Sequence, residues 1–163
     1  MGLFPERMRG YQFDLISSSS TSMSASTTSD TEPELAEELS EGFDMIVIGI
    51  ALHHVAFPGL LLQRLKEILK PGGVVVVLDM VPDQVPSVPT DIDFDTEGLK
   101  AQEIDVLKTI WKQGFTEGEM RAMYKCAGLE KNFKYVSIEE EFRFRLFGRE
   151  VDVKGFICRG EVI

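Results

Sequence analysis

His53 and His54 stand side by side near the end of an apolar run, "FDMIVIGIALHHV" (Phe43–Val55), and a second apolar run, "VVVVLD", ends in Asp79. An imidazole titrates near neutrality and can take a proton from an oxygen or nitrogen nucleophile, so either histidine is a candidate general base. The other assignment for both is a side chain that only shapes a pocket. Asp79 can contact a substrate, but a capping or turn-forming carboxylate is the preferred reading. A zinc site built from His53, His54, Asp79 and a cysteine matches in residue types; no local ligand spacing supports it, and no metal is expected.

These residues must be carried by strands. "MIVIGIAL" is apolar at nearly every position, the pattern of a strand covered on both faces. In "PGLLLQRLKEILKPGG" the residues Leu61, Leu65 and Ile68 share one helical face, Leu62 and Leu69 flank it, and Pro71-Gly72-Gly73 stops the helix. "VVVVLD" follows as a second buried strand. Strand, helix and strand with so little connecting chain predict a right-handed βαβ unit with parallel strands. The loop Val81–Thr96, rich in proline and aspartate, then falls at the carboxyl end of the second strand, where open α/β sheets bind ligands.

Further along, a helix is expected over Leu99–Lys112, with Ile104, Leu107, Ile110 and Trp111 on one side. "FTEGEMRAMYKCAGL" predicts another: Thr116 and Glu119 have capping-box spacing, Phe115 can staple to Met120, and Gly128 closes it. Met120 and Met123 read as core. From Phe133 the pattern alternates, "FKYVSI" and later "FRFRLFGREVDVKGFICRG", as two strands of a hairpin, with Arg143, Arg145 and Arg149 on the exposed face. Ahead of Phe43, "YQFDLI" (Tyr11–Ile16) reads as a short strand. It runs into Ser17–Asp30, where eleven of fourteen residues are Ser or Thr and no core can be packed. "TEPELAEELSEG" is either a short acidic helix, capped by Thr31 and Glu34, or a solvated acidic linker.

The 163 residues suit one domain, and 44% hydrophobic content supplies a core. A net charge of −10 disfavours an electrostatic grip on nucleic acid or anionic membrane, which leaves a small molecule or another protein as partner. Cys126 and Cys158 lie far apart with no C-x-x-C spacing, so reduced thiols in a cytoplasmic protein are expected. No apolar run reaches membrane-spanning length, and no targeting signal is read.

The order of strand, "ALHHV", amphipathic helix, "LKPGG", strand ending in Asp79, "GFTEGEMRAMYKCAGL" and closing hairpin resembles the C-terminal half of class I S-adenosylmethionine (SAM)-dependent methyltransferases, with the fungal small-molecule members nearest. The resemblance runs from about Gln12 to Gly160. It implies an α/β fold, here an incomplete Rossmann-like sheet, mostly parallel with a C-terminal antiparallel hairpin. Residues 43–163 would be the main folded region of a single partial domain, and 17–41 an insertion. By the same resemblance Asp14 meets the adenine amino group, Leu15 lies beside the ring, and the backbone of Gly49, Ile50 and Ala51 approaches the methionine part of SAM. The implied partner is a small-molecule methyl acceptor.

One departure is expected to matter. The family's first strand with its G-x-G-x-G loop, and its second strand with a ribose-binding acid, should precede Gln12, where only eleven residues stand; among the 14 glycines no two are two positions apart. Only glycine lets a backbone come that close to a ligand, so weak or absent SAM binding is expected. Two functions follow: a small-molecule methyltransferase, incomplete as given, or a noncatalytic methyltransferase-like protein acting by protein association. Self-association of the isolated chain through an exposed sheet edge at Met45–Ile50 is expected unless Gln12–Leu15 takes the place of the missing first strand.

Overall fold

The computed structural model describes residues 39–82, 110–146 and 149–163. The expected strand Tyr11–Ile16, the Ser/Thr stretch, and most of both the loop Val81–Thr96 and the helix Leu99–Lys112 lie outside them.

A last helical turn at 39–41 leads through Gly42 into strand β1, Phe43–Gly49. A 3-10 turn, Leu52–His54, follows, then helix α1, Pro58–Glu67, strand β2, Leu69–Met80, helix α2, Glu117–Cys126, and the hairpin strands β3, Lys131–Leu146, and β4, Arg149–Glu161. The four strands form one sheet in the order β1-β2-β4-β3. β1 and β2 are parallel, whereas β4 runs antiparallel to both β2 and β3. This is the mixed sheet of a partial Rossmann-like α/β fold, as the sequence predicts.

Local chemistry accounts for the helix boundaries. Pro58 opens the first turn of α1, where no amide hydrogen bond is needed. α2 carries the predicted capping box: the Thr116 hydroxyl accepts from the Glu119 amide at 3.3 Å, and the Glu119 carboxylate accepts from the Thr116 amide at 2.9 Å. Gly128, at φ 70°, lets the chain leave that helix in a left-handed conformation.

Helix packing makes one face of the sheet the core. Val75 and Val77 of β2, Phe156 and Cys158 of β4, Leu62 and Leu65 of α1, and Met120 and Tyr124 of α2 are buried in a single cluster together with Leu52 and Phe115. Ile46 and Ile48 of β1 pack against it. The Tyr124 hydroxyl satisfies itself on the Val75 carbonyl at 3.3 Å, and burial pushes its pKa up.

Four expectations need correction. β1 is not covered on both faces: its exposure alternates, and Met45 and Val47 are 58% and 62% exposed, because no described element packs on that side. α1 ends at Glu67, and Leu69 and Pro71-Gly72-Gly73 already belong to β2, because Phe43 pairs with Leu69 before the register shifts to join Met45 with Val74. The three residues are thus the extra length of an irregularity in the ladder. Residues 110–112 are not helical, and Trp111 faces outward. Finally, β3 continues through Phe142 to Leu146, which pairs with Arg149 at the start of β4, so 142–146 belong to the first strand of the hairpin and not the second.

Candidate functional site

The parallel pairing of β1 with β2 brings their carboxyl ends together, since Gly49 lies opposite Leu78. Residues just beyond that rung meet. Asp79, fully buried, accepts from the His53 ring Nδ1 at 2.8 Å with one oxygen and from the His53 backbone amide at 3.1 Å with the other. The first oxygen also accepts from the Met80 amide at 2.7 Å. Three donors therefore converge on one carboxylate, which is how a buried charge becomes tolerable.

His53 is also an acceptor for the returning chain. Its carbonyl takes the amides of Trp111 at 3.0 Å and Lys112 at 3.2 Å, while the Phe115 amide donates to the Met80 carbonyl at 2.9 Å. Gly114, at φ 126°, allows this passage, because a Cβ there would overlap the Met80 carbonyl. The 3-10 turn, the end of β2 and the segment leading into α2 are thus tied at a single residue. Sequence reasoning missed this joint. Its only signal was that each of two apolar runs is followed by a residue able to share a proton, His53 after β1 and Asp79 near the end of β2.

With Nδ1 donating to Asp79, His53 keeps the tautomer in which Nε2 is the basic nitrogen. His53 is 3% exposed, and the half-buried His54 ring lies against it with centroids 4.1 Å apart. The structure brings together both histidines and Asp79. Asp79 lies within β2, paired with Phe156, and its carboxylate is engaged by His53 and the Met80 amide. Among the described residues no group of three or more His, Cys, Asp or Glu is arranged to hold a metal ion.

Of the residues assigned to SAM, Asp14 and Leu15 lie outside the described residues. Gly49, Ile50 and Ala51 lead from the end of β1 into the 3-10 turn. Gly49 is exposed and, among the described residues, a Cβ on it would meet nothing within 4 Å, Ala51 is exposed, and Ile50 has φ 49°. A positive φ at a β-branched residue is strained, and such strain collects where backbone is shaped for a ligand. Among the described residues this stretch leaves backbone exposed, with room for a ligand to approach it.

Comparison with known proteins bears on this region. Residues 31–77, less than a third of the chain, match the family model described as a methyltransferase domain. In structure the chain is similar to the YcgJ protein from Bacillus subtilis, with a TM-score of 0.50 at 13% identity over 74% of this chain and 64% of that one. It is also similar to a SAM-dependent methyltransferase from Thermotoga maritima, at TM-score 0.43, 20% identity and 76% and 57% coverage. A third is phosphoethanolamine N-methyltransferase 2 of Haemonchus contortus, solved with phosphomonomethylethanolamine and S-adenosylhomocysteine, at TM-score 0.45, 11% identity and 74% and 33% coverage. The chain spans less than two thirds of the length of each. Among curated proteins no relative is found. At such identity the likeness to the Bacillus subtilis protein speaks for the fold alone.

Proposed function

We propose that the chain is a SAM-dependent methyltransferase acting on a small molecule. The observation that carries this reading is the Asp79–His53 pair at the carboxyl ends of parallel strands, beside the open turn Gly49–Ala51 and within or next to the segment that matches the methyltransferase domain model. When bound, SAM supplies an electrophilic methyl group on a sulfonium.

Gly49, Ile50 and Ala51 would hold its methionine end by backbone contact. His53 Nε2 takes the proton that an oxygen or nitrogen acceptor releases as it is methylated. Asp79 is a positioning residue: it holds the Nδ1 proton and the ring orientation. His54 forms the wall beside the base. Orientation of acceptor and methyl in line supplies most of the rate. Since the sequence contains no G-x-G, the chain by itself holds SAM weakly; each polar group of a buried ligand left without its partner costs about 1–3 kcal/mol.

The test is transfer of labelled methyl from saturating SAM to a set of small phenols and amines. Transfer that is lost in H53A and returns with added imidazole is the expected result. A folded chain that transfers nothing to any acceptor counts against the reading. A second reading, a noncatalytic protein acting by association, draws on the apolar sheet face that bears Met45 and Val47. Light scattering that finds only monomer at all concentrations excludes self-association as its mode.

A further inference from the structure

The hairpin outruns the rest of the sheet. β2 pairs with β4 as far as Met80 opposite Gly155, and the Val81 amide adds one more bond, to the Lys154 carbonyl, at 2.9 Å. Beyond that point β3 and β4 continue alone, from Glu141 opposite Lys154 to Leu146 opposite Arg149. Because β4 runs antiparallel to β2, this ribbon extends past the carboxyl end of β2, the end that carries Asp79 and its bond to His53. Among the described residues no third strand joins it. A two-stranded ribbon is marginal in water, and three or more strands are needed for independent stability.

A further strand can come to either edge, and the charges choose between them. When two copies of one strand pair antiparallel about a two-fold axis, one residue lies opposite itself and its neighbours lie crosswise. On β4, centring on Val151 sets Glu150 against Asp152, and centring on Asp152 sets that acid against itself; the root of this edge is also taken by Val81. On β3, centring on Phe142 sets Glu141 against Arg143 on both sides of the axis, whereas centring on Glu141 or Arg143 brings like charges together. Glu141 and Arg143 are exposed, and Phe142 between them is half-buried against Gly155, where a Cβ would meet its ring at 2.7 Å. Arg143 Nε donates to Asp152 across the hairpin at 2.9 Å, and a guanidinium has further N–H groups for a second carboxylate. Charges on an edge strand ordinarily keep copies apart. Here that defence fails in one register, because unlike charges meet.

We propose that the β3 edge is an interface with a second copy of this chain. The two copies pair antiparallel about a two-fold axis at Phe142, which sets Glu141 of each opposite Arg143 of the other and joins the two ribbons into four strands. The ladder's irregularity between Ser137 and Glu141 lies just before this centre, so the contact is short and its affinity modest. β3 and β1 are at opposite ends of the strand order, so this contact is separate from any pairing at the Met45–Ile50 edge. It does not rest on the methyl-transfer reading.

Sedimentation velocity on the whole chain, run against concentration and salt, reads the association. A dimer that weakens as salt rises is the expected result. E141R and R143E should each weaken it about tenfold, since each turns two attractive cross-strand pairs into repulsive ones. An equimolar mixture of the two variants should dimerise, because each supplies the charge that the other lacks. V47K, on the sheet's open face, should change nothing. Cysteine pairs check the register independently. With the exposed Cys126 replaced in C126S, E141C mixed with R143C should oxidise to a disulfide-linked dimer, whereas E141C alone, offset by two residues from its own copy, should not. The proposal is overturned by a chain that stays monomeric at all concentrations, by association that ignores both charge reversals or is abolished by V47K, or by a mixture no better than its parts. Cross-linking of E141C as readily with itself as with R143C would also overturn it.

Discussion

The two faces of the sheet come from the same strands and have opposite fates. Toward the helices, Val75, Val77, Phe156 and Cys158 are sealed; on the other side, β1 presents Met45 and Val47 and the hairpin presents Val136 and Ile157, all exposed. Paired residues keep these faces consistent, since Met45 lies opposite Val74, Val47 opposite Val76, and Ile157 opposite both Leu78 and Val136. Among the described residues β1 is also an outermost strand. Side-chain composition alone does not separate the faces, as both are rich in β-branched residues. What separates them is which side the connecting helices fall on.

The largest effect should come from the sealed face. Leu62→Ala removes a fully buried side chain between α1 and the sheet, and urea unfolding should show a loss of about 2–5 kcal/mol. Val47→Ala, on the open face, should stay within about 0.5 kcal/mol. A Val47 loss as large as that at Leu62 would show that the open face is covered in solution, and the contrast between the faces would fall. Asp79→Ala should rank next, at about 1–3 kcal/mol, because the His53 and Met80 amides lose their acceptor. A neutral result would mean that water replaces the carboxylate and that the joint does not hold the turn.

The parallel β1-α1-β2 unit, the capping box of α2 and the buried place of Met120 were legible in the sequence, because each rests on local spacing: the short connection between two apolar runs, and Thr116 with Glu119. The open face was not. A continuous run such as "MIVIGI" reads as buried on both sides, and its period cannot reveal that only one side receives helices. The Pro71-Gly72-Gly73 corner misled for a related reason, since residues that end a helix also fit an irregular strand start. The Asp79–His53 joint spans 26 residues and depends on strand register, which no local pattern reports. Periodicity puts Trp111 on a helix face, whereas a backbone bond to His53 holds that residue outside a helix.

Smaller effects sharpen the comparison. Thr116→Ala should cost about 1 kcal/mol by removing the cap of α2. Glu119 has its pKa lowered in the folded protein, chiefly by Lys112 and then by the Thr116 amide, so its contribution is present above the ordinary value of 4.5 and is lost as pH falls through the lower folded value. Glu119→Gln should accordingly flatten the acid limb of the stability profile. The two cysteines give the mildest test. Burial pushes the Cys158 thiol up to about 11, while Cys126 is exposed. A thiol reagent at neutral pH should modify one cysteine quickly and the other only on unfolding; stability should fall as pH rises from about 9, where the unfolded thiol ionises first, toward 11. Two equally fast thiols would show that the sheet's sealed face opens readily.

The measurement that most directly tests the functional claim is amide shift mapping of the whole chain under rising SAM concentration, taken to saturation so that weak binding is still seen. The account predicts saturable shifts at Gly49, Ile50, Ala51 and the His53–His54 turn, with Met45 and Val47 unmoved. A spectrum in which the turn is silent, or in which SAM perturbs only the open apolar face, would contradict it.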